Sequence, residues 1–260
     1  MIEYRRDGAV VTITINAPDR LNAVRLADLN DLGECWKQYR EDPEARVAVI
    51  TGAGDRAFCV GADRSELADA FGEEHRLEFW RDHARGYGTS PEDGMAQFKP
   101  TICAINGWAV GAGLVIALGT DIRLCSENAR FSMPEVQLGI STVTGAARLP
   151  AIVGPAWSHY LALTGEQIDA EVACRIGLVN EIHGQEDLLP RAYAIADRIA
   201  RNAPLAVWAT KEVTVRAMEA PYEVVKSLGE SLRRQVYDSA DFAEGMAAAE
   251  EGREPRFSGR

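Results

Sequence analysis

The chain has 260 residues, with 28 Lys and Arg against 39 Asp and Glu and a formal charge of −11. That length suits one large domain, and 47% hydrophobic with 26% charged residues is the balance of an ordinary soluble globular protein. The acidic surplus argues against a nucleic-acid groove and disfavours an anionic membrane as partner, while local arginines and helix N-termini can still hold an anionic ligand.

The elements follow in chain order. Ala9–Ile15 alternates β-branched residues and predicts a strand. Leu26–Tyr39 has helical spacing with Pro43 as a stop, and Arg46–Thr51 is a second strand. Phe58–Asp63 is a short apolar run that turns at Gly61. Thr101–Ile105 predicts a strand, Asn106–Gly113 a glycine-rich turn, and the residues after it a short apolar helix. Thr101–Thr120 is uncharged and long enough to span a membrane, but Asn106 and four glycines favour a buried strand, turn and helix instead. Ile122–Cys125 and Ala129–Met133 read as strands, and from Pro155 onward helical patterns dominate, with separate helices over Pro204–Ala220, Pro221–Asp238 and Phe242–Glu251. The expected organisation is an α/β core over residues 1–200 and a helical region over 201–260. The charged stretch 63–93 is the least regular and is expected at the surface or over a pocket.

Five scattered cysteines (Cys35, Cys59, Cys103, Cys125, Cys174) contain no CxxC pair, which argues against a disulfide framework or a zinc site and points to a reducing cytoplasm. The opening MIEYRRDG lacks an apolar signal-peptide core, so no secretory signal is expected.

Three segments carry chemistry. In Phe58-Cys59-Val60-Gly61-Ala62-Asp63, small residues let backbone approach a ligand, although a strand ending in an Asp cap explains the segment more simply. In Ile105-Asn106-Gly107-Trp108-Ala109-Val110-Gly111-Ala112-Gly113-Leu114, a strand enters a glycine-rich turn and helix, leaving N–H donors for an anionic oxygen. The dinucleotide fingerprint and the P-loop lysine are both missing there, and plain close packing is an equal alternative. In Ser132-Met133-Pro134-Glu135-Val136-Gln137-Leu138-Gly139, a carboxylate follows a proline among apolar residues, either as an exposed turn residue or as a general acid/base in an apolar cleft.

Taken together and in this order, the three segments resemble the crotonase superfamily of enoyl-CoA hydratases and isomerases. The resemblance runs from Pro18-Asp19-Arg20-Leu21-Asn22-Ala23 through Asp121-Ile122-Arg123, Leu163-Thr164-Gly165-Glu166 and Gly177-Leu178-Val179-Asn180 to Pro255-Arg256-Phe257, nearly the whole chain. It implies an α/β fold with a ββα spiral core, a C-terminal helical trimerisation region, and a homotrimer or dimer of trimers. It implies an acyl-CoA substrate, with coenzyme A as part of the substrate and no permanently bound cofactor or metal. It places oxyanion donors on Ala62 and Ala112 and acid/base work on Glu135. Contacts to coenzyme A fall on Arg20, Val60, Ala62, Asp63 and Lys211, and an acyl pocket on Trp108, Val115 and Thr142.

The departures from the family pattern shape the expected reaction. Hydratases of the superfamily carry a second glutamate where this chain has Val115, and the middle glycine of their turn is Ala112 here. The segment Ser141-Thr142-Val143-Thr144-Gly145-Ala146-Ala147 lacks their Gly-Gly pair and is shorter. One base suffices for a 1,3-proton shift, so double-bond isomerisation is the expected activity. The alternatives are a hydratase that recruits another group (Glu66, Glu73, Glu74, Glu78, His83 or Tyr87) and an acyl-CoA-binding protein with little catalysis. Phe79 and Trp80 are further pocket candidates, whereas His75, His159 and His183 are read as structural or surface residues.

Overall fold

A computed structural model describes residues 1–63, 65 and 97–260. A six-stranded sheet has the order β1-β2-β3-β5-β7-β10, built from Ile2–Asp7, Val10–Ile15, Val47–Gly52, Thr101–Ile105, Ile122–Ser126 and Glu181–His183. A four-stranded sheet has the order β4-β6-β8-β9, from Ala57–Cys59, Trp108–Val110, Arg130–Ser132 and Ile168–Asp169. The chain alternates between them. Each of β3, β5 and β7 is followed at once by β4, β6 or β8, and the successive strands within each sheet run parallel. After β6 comes helix α2 (Ala112–Leu118), and after β8 come a 3-10 turn (Pro134–Leu138) and α3 (Thr144–Thr164). This is the expected ββα spiral.

Parallel strands buried on both faces read as continuous apolar runs, and β3 (VAVITG) is buried throughout. Ala48 and Ile50 face a core that holds Trp36 and Tyr39 of α1 (Leu26–Glu41) and Phe58, Leu114 and Phe131. Val47 and Val49 face Leu188, Ala192 and Ala196 of a helix spanning Gln185–Ala200. With α4 (Ala170–Arg175) before it, that helix is α5. Residues 201–260 hold α6 (Pro204–Arg216), α7 (Tyr222–Tyr237) and α8 (Ala240–Glu251).

Several sequence expectations are corrected. Residues 106–113 are not all turn, because Trp108–Val110 forms β6. Three further strands, β1, β9 and β10, have no counterpart in the sequence pattern. β1 (IEYRRD) is a largely exposed edge strand that needs no apolar pattern, and β9 and β10 are two and three residues long, too short to show a period. Helix α3 begins before Pro155, and it kinks at Gly154, which adopts φ 74°. Among the described residues no helix is long and apolar enough to cross a membrane. The uncharged run 101–120 is β5, β6 and α2.

Two asparagines lock the loops at one end of the spiral. Asn22 has φ 57° and is fully buried; its Oδ1 accepts from the Ala17 N–H at 2.8 Å, and its Nδ2 donates to the carbonyls of Ala53 and Ala57. Asn106 accepts from the Gly52 N–H at 3.0 Å and donates to the carbonyls of Gly52 and Gly54 at 2.8 and 2.7 Å. Its amide therefore ties the end of β3 to the start of the glycine-rich turn. Asn106→Leu strips these buried backbone groups of partners and is expected to cost about 3 kcal/mol. Urea unfolding checks this: the midpoint should fall at unchanged slope, and a loss below about 1 kcal/mol would mean that water replaces the amide.

Candidate active site

Three backbone features converge where β4, β6 and β8 end. β4 runs to Gly61, whose φ of 97° favours glycine. A methyl at Gly61 would meet the Val110 carbonyl at 2.9 Å and the Ala112 nitrogen at 3.5 Å, so the turn after β4 lies against the start of α2. Gly113 packs more tightly still, because a methyl there would lie 2.0 Å from the Cys59 carbonyl oxygen. Glycine therefore lets the helix approach the strand backbone to backbone.

Near this contact two backbone N–H groups are without an acceptor among the described residues. Ala62 forms a parallel bridge with Val24, but the bonds of that bridge run from Val24 N–H to Gly61 and from Asp63 N–H to Val24, so the Ala62 N–H is not used. Ala112 is the first residue of α2, where an N–H has no intrahelical acceptor. No hydrogen bond among the described residues engages either donor.

Glu135 completes the cluster. It sits in the first turn of the 3-10 segment after β8. The Gly111 N–H donates to the Ser132 carbonyl at 3.0 Å, which sets the end of β8 against the glycine turn. Gly111 has φ 53°, and a methyl on it would stand 3.3 Å from Glu135 Oε1. The other carboxylate oxygen, Oε2, is buried with no hydrogen-bond partner. Burial raises the Glu135 pKa, opposed only by its own backbone N–H. A half-buried carboxyl with an unpartnered oxygen beside two free N–H donors is equipped to take and return a proton next to a developing anion.

Val115 lies four residues beyond Gly111, one turn along the same face of α2, and is buried in the main core. Its Cγ2 and the Thr142 Oγ1 each come within 3.1 Å of the point where a Gly145 methyl would sit, with Met133 Cε closer still. The structure thus brings Val115 and Thr142 together on one wall.

The architecture and the site geometry match a known family. The family model described as "Enoyl-CoA hydratase/isomerase" matches residues 5–260. The chain belongs to the enoyl-CoA hydratase/isomerase family. The carnitinyl-CoA dehydratase of Proteus mirabilis is 36% identical over 262 residues, covering 97% of this chain and 96% of its own length. The (E)-benzylidenesuccinyl-CoA hydratase of Thauera aromatica is 38% identical over 251 residues, covering 96% of each. The crystal structure of an enoyl-CoA hydratase from Bacillus anthracis superposes with a TM-score of 0.91 at 32% identity, covering 100% of this chain and 99% of that one. Members of this crotonase family act on coenzyme A thioesters.

Val60, Ala62 and Asp63 form the segment after β4. The Asp63 carboxylate is held down at about 2 by hydrogen bonds from Ser65, and by Arg25, whose Nε lies 3.2 Å away. Arg25 escaped the sequence reading because its partner lies 38 residues on. Arg20 lies in the neighbouring loop with its guanidinium engaged by Asp28 and the Ala23 carbonyl. Asp28 also accepts the Arg25 N–H, so one buried carboxylate holds the Arg20 guanidinium and the Arg25 backbone at the start of α1.

Lys211, expected at a phosphate, is buried and paired within the fold. It is 8% exposed, its Nζ lies 2.8 Å from Asp121 and donates to the Lys99 carbonyl, and it ties α6 to the starts of β5 and β7. Trp108 is not core, since it is 43% exposed at the far end of β6 from Gly111. His159 is exposed and His183 bonds Glu181, in keeping with structural or surface roles. Glu66, Glu73, Glu74, His75, Glu78, Phe79, Trp80, His83 and Tyr87 lie outside the described residues.

Proposed function

We propose that this family member stabilises an acyl-CoA enolate between the Ala62 and Ala112 N–H groups and uses Glu135 as its one acid/base, in the simplest case to move a double bond by a 1,3-proton shift. The observation that carries the reading is the Glu135 carboxyl, half-buried and poised at Gly111, with apolar Val115 in place of a second carboxylate. In the reaction, the thioester oxygen rests on the two N–H groups while Glu135 removes a proton from one carbon. Electrons shift onto that oxygen, the donors tighten as charge grows, and the collapsing enolate recovers the proton from Glu135 at another carbon. Donors that strengthen with developing charge lower the barrier more than they tighten substrate binding, and one of them is worth about 3 kcal/mol in acyl-transfer enzymes.

A second reading is supported by the relatives named as a dehydratase and a hydratase. In it, Glu135 takes the α-proton of a β-hydroxyacyl thioester and hands it to the departing hydroxyl, releasing water. The coenzyme A moiety runs along Val60, Ala62 and Asp63, with Arg20 and Arg25 beside its phosphates. A cytoplasmic trimer or dimer of trimers belongs to the same reading. Exposed Tyr222, Val224 and Tyr237 on α7 and Phe242 and Met246 on α8 offer apolar surface for such an assembly.

Incubation with 2-enoyl- and 3-enoyl-CoA thioesters in D2O, followed by mass spectrometry, tests the proposal. Deuterium incorporation with no added water supports the isomerase, and addition of a full water supports the hydratase. Absence of any turnover across the panel would leave a binding protein and overturn the enzymatic reading.

A further inference from the structure

Asp28 stands in the first turn of α1 and is 6% exposed, on a helix that contributes nothing to the cluster around Glu135. A buried carboxylate needs donors, and one oxygen of Asp28 takes two of them. Its Oδ2 accepts from Arg20 Nη2 at 2.5 Å and from the Arg25 N–H at 2.9 Å. The second bond is an ordinary helix-capping contact, from the third helical residue back to the residue before the first. The first is not, because it reaches across eight residues to a guanidinium in the Pro18–Arg20 turn. Arg20 Nε is used as well, donating to the Ala23 carbonyl at 2.8 Å. No bond among the described residues engages Nη1, and the side chain is 25% exposed. Arg20 is thus clamped at two nitrogens, with the third left for an anionic oxygen from outside the chain.

The clamped turn is tied to the candidate site. The Val60 N–H donates to the Leu21 carbonyl at 3.3 Å, the Val24 N–H to the Gly61 carbonyl at 2.9 Å, and the Asp63 N–H to the Val24 carbonyl at 2.8 Å. The loop that carries Arg20 is therefore bonded along the segment that carries Ala62. A mobile arginine gives up rotamer freedom when it binds a ligand, whereas one held in place beforehand has already lost it. We propose that Asp28 is a positioning residue for coenzyme A, which holds the Arg20 guanidinium set for a phosphate of the substrate's nucleotide and touches no part of the substrate itself. The inference rests on the reading that places those phosphates at Arg20. Without the Asp28 charge the guanidinium samples other rotamers, and only the phosphate-bearing part of the substrate loses a contact.

The test is calorimetric titration of wild type, Asp28→Asn, Arg20→Met and the double variant with two ligands. One is butyryl-CoA, and the other is butyryl-pantetheine, which has the same thioester without the nucleotide phosphates. Asparagine keeps an oxygen for the Arg25 N–H and drops the charge that holds Arg20, so capping and positioning separate. The Kd for butyryl-CoA should rise about tenfold in Arg20→Met and about fivefold in Asp28→Asn, the loss of a preset charge-assisted contact. The Kd for butyryl-pantetheine should stay within about twofold of wild type in Asp28→Asn, and adding Asp28→Asn to Arg20→Met should cost butyryl-CoA less than about twofold more, since no guanidinium is left to hold. Equal weakening of both ligands in Asp28→Asn, or additive losses in the double variant, overturns the inference and leaves Asp28 a helix cap alone. Should Asp28→Asn not fold, Asp28→Ser, which also offers a capping oxygen, supplies the same comparison. Arg20→Met separates the two failures. If it leaves butyryl-CoA affinity unchanged, the phosphate reading falls and the inference with it, whereas if it weakens binding while Asp28→Asn does not, only the positioning role falls.

Discussion

Glu135→Gln is expected to lower kcat by about 10²–10⁴-fold on whichever thioester is turned over, with thioester affinity changed only a few-fold, because the amide keeps the shape but cannot accept the proton. Steady-state kinetics together with calorimetric titration of a non-reacting acyl-CoA check both parts. Loss of binding on the same scale as loss of turnover would assign Glu135 to binding instead. Burial also sets the pH dependence. The base form is the carboxylate, and its pKa lies above the ordinary Glu value. The acid limb of kcat/KM in wild type should therefore fall above the range of an exposed carboxylate.

The same substitution should stabilise the protein at neutral pH. Below the ordinary Glu pKa, the group is neutral in both the folded and the unfolded chain. As pH rises through the raised folded-state value, the folded chain comes to hold a charge deprived of water, and that part of its stability is lost. Glu135→Gln is thus expected to melt higher than wild type at pH 7, with the advantage disappearing near pH 4. An equal or lower melting temperature at pH 7 would show that the carboxylate is well solvated.

Gly113→Ala is expected to be nearly as damaging by a different route. The added methyl would lie 2.0 Å from the Cys59 carbonyl oxygen, and that oxygen belongs to the backbone of β4 and cannot rotate away. Either α2 moves off the strand, which carries Ala112 away from Ala62, or the contact is borne as strain. Overpacking of this kind costs about 1–3 kcal/mol and sometimes more. The expected result is a lower melting temperature together with a fall in kcat. Gly139→Ala is the control for a glycine methyl as such, since nothing lies within 4 Å of its position and only its positive φ is disturbed. Full activity in Gly113→Ala would show that the helix–strand contact does not position the donors.

Much of this protein was determined by local sequence alone. The continuous apolar runs at 47–52 and 101–105 are parallel strands because both of their faces are covered, whereas local sequence left Glu135 open between an exposed turn residue and an acid/base, and only the family resemblance singled it out. The family motifs read as chemistry resolved into two kinds of residue. Asn22, Asn106, Asp121 and Arg123 are spent on buried backbone groups or ion pairs that hold the loops and strand ends. One Glu135 carboxylate oxygen and the N–H groups of Ala62 and Ala112 are left without such partners among the described residues.

Local sequence could not separate these kinds, because the partner that satisfies a polar group is often a distant one. Asn22 bonds Ala57, Asn106 bonds Gly52 and Lys211 bonds Asp121, each between residues far apart in the chain. Lys211 shows the consequence: its charge suggested a phosphate, and the ion pair with Asp121 binds it inside the fold. The short edge strands were hidden for a related reason, since their pairing energy lies in backbone bonds that no side-chain pattern records. What the tertiary structure alone decided was which polar groups were left without a partner, because only the packed chain determines which groups find one.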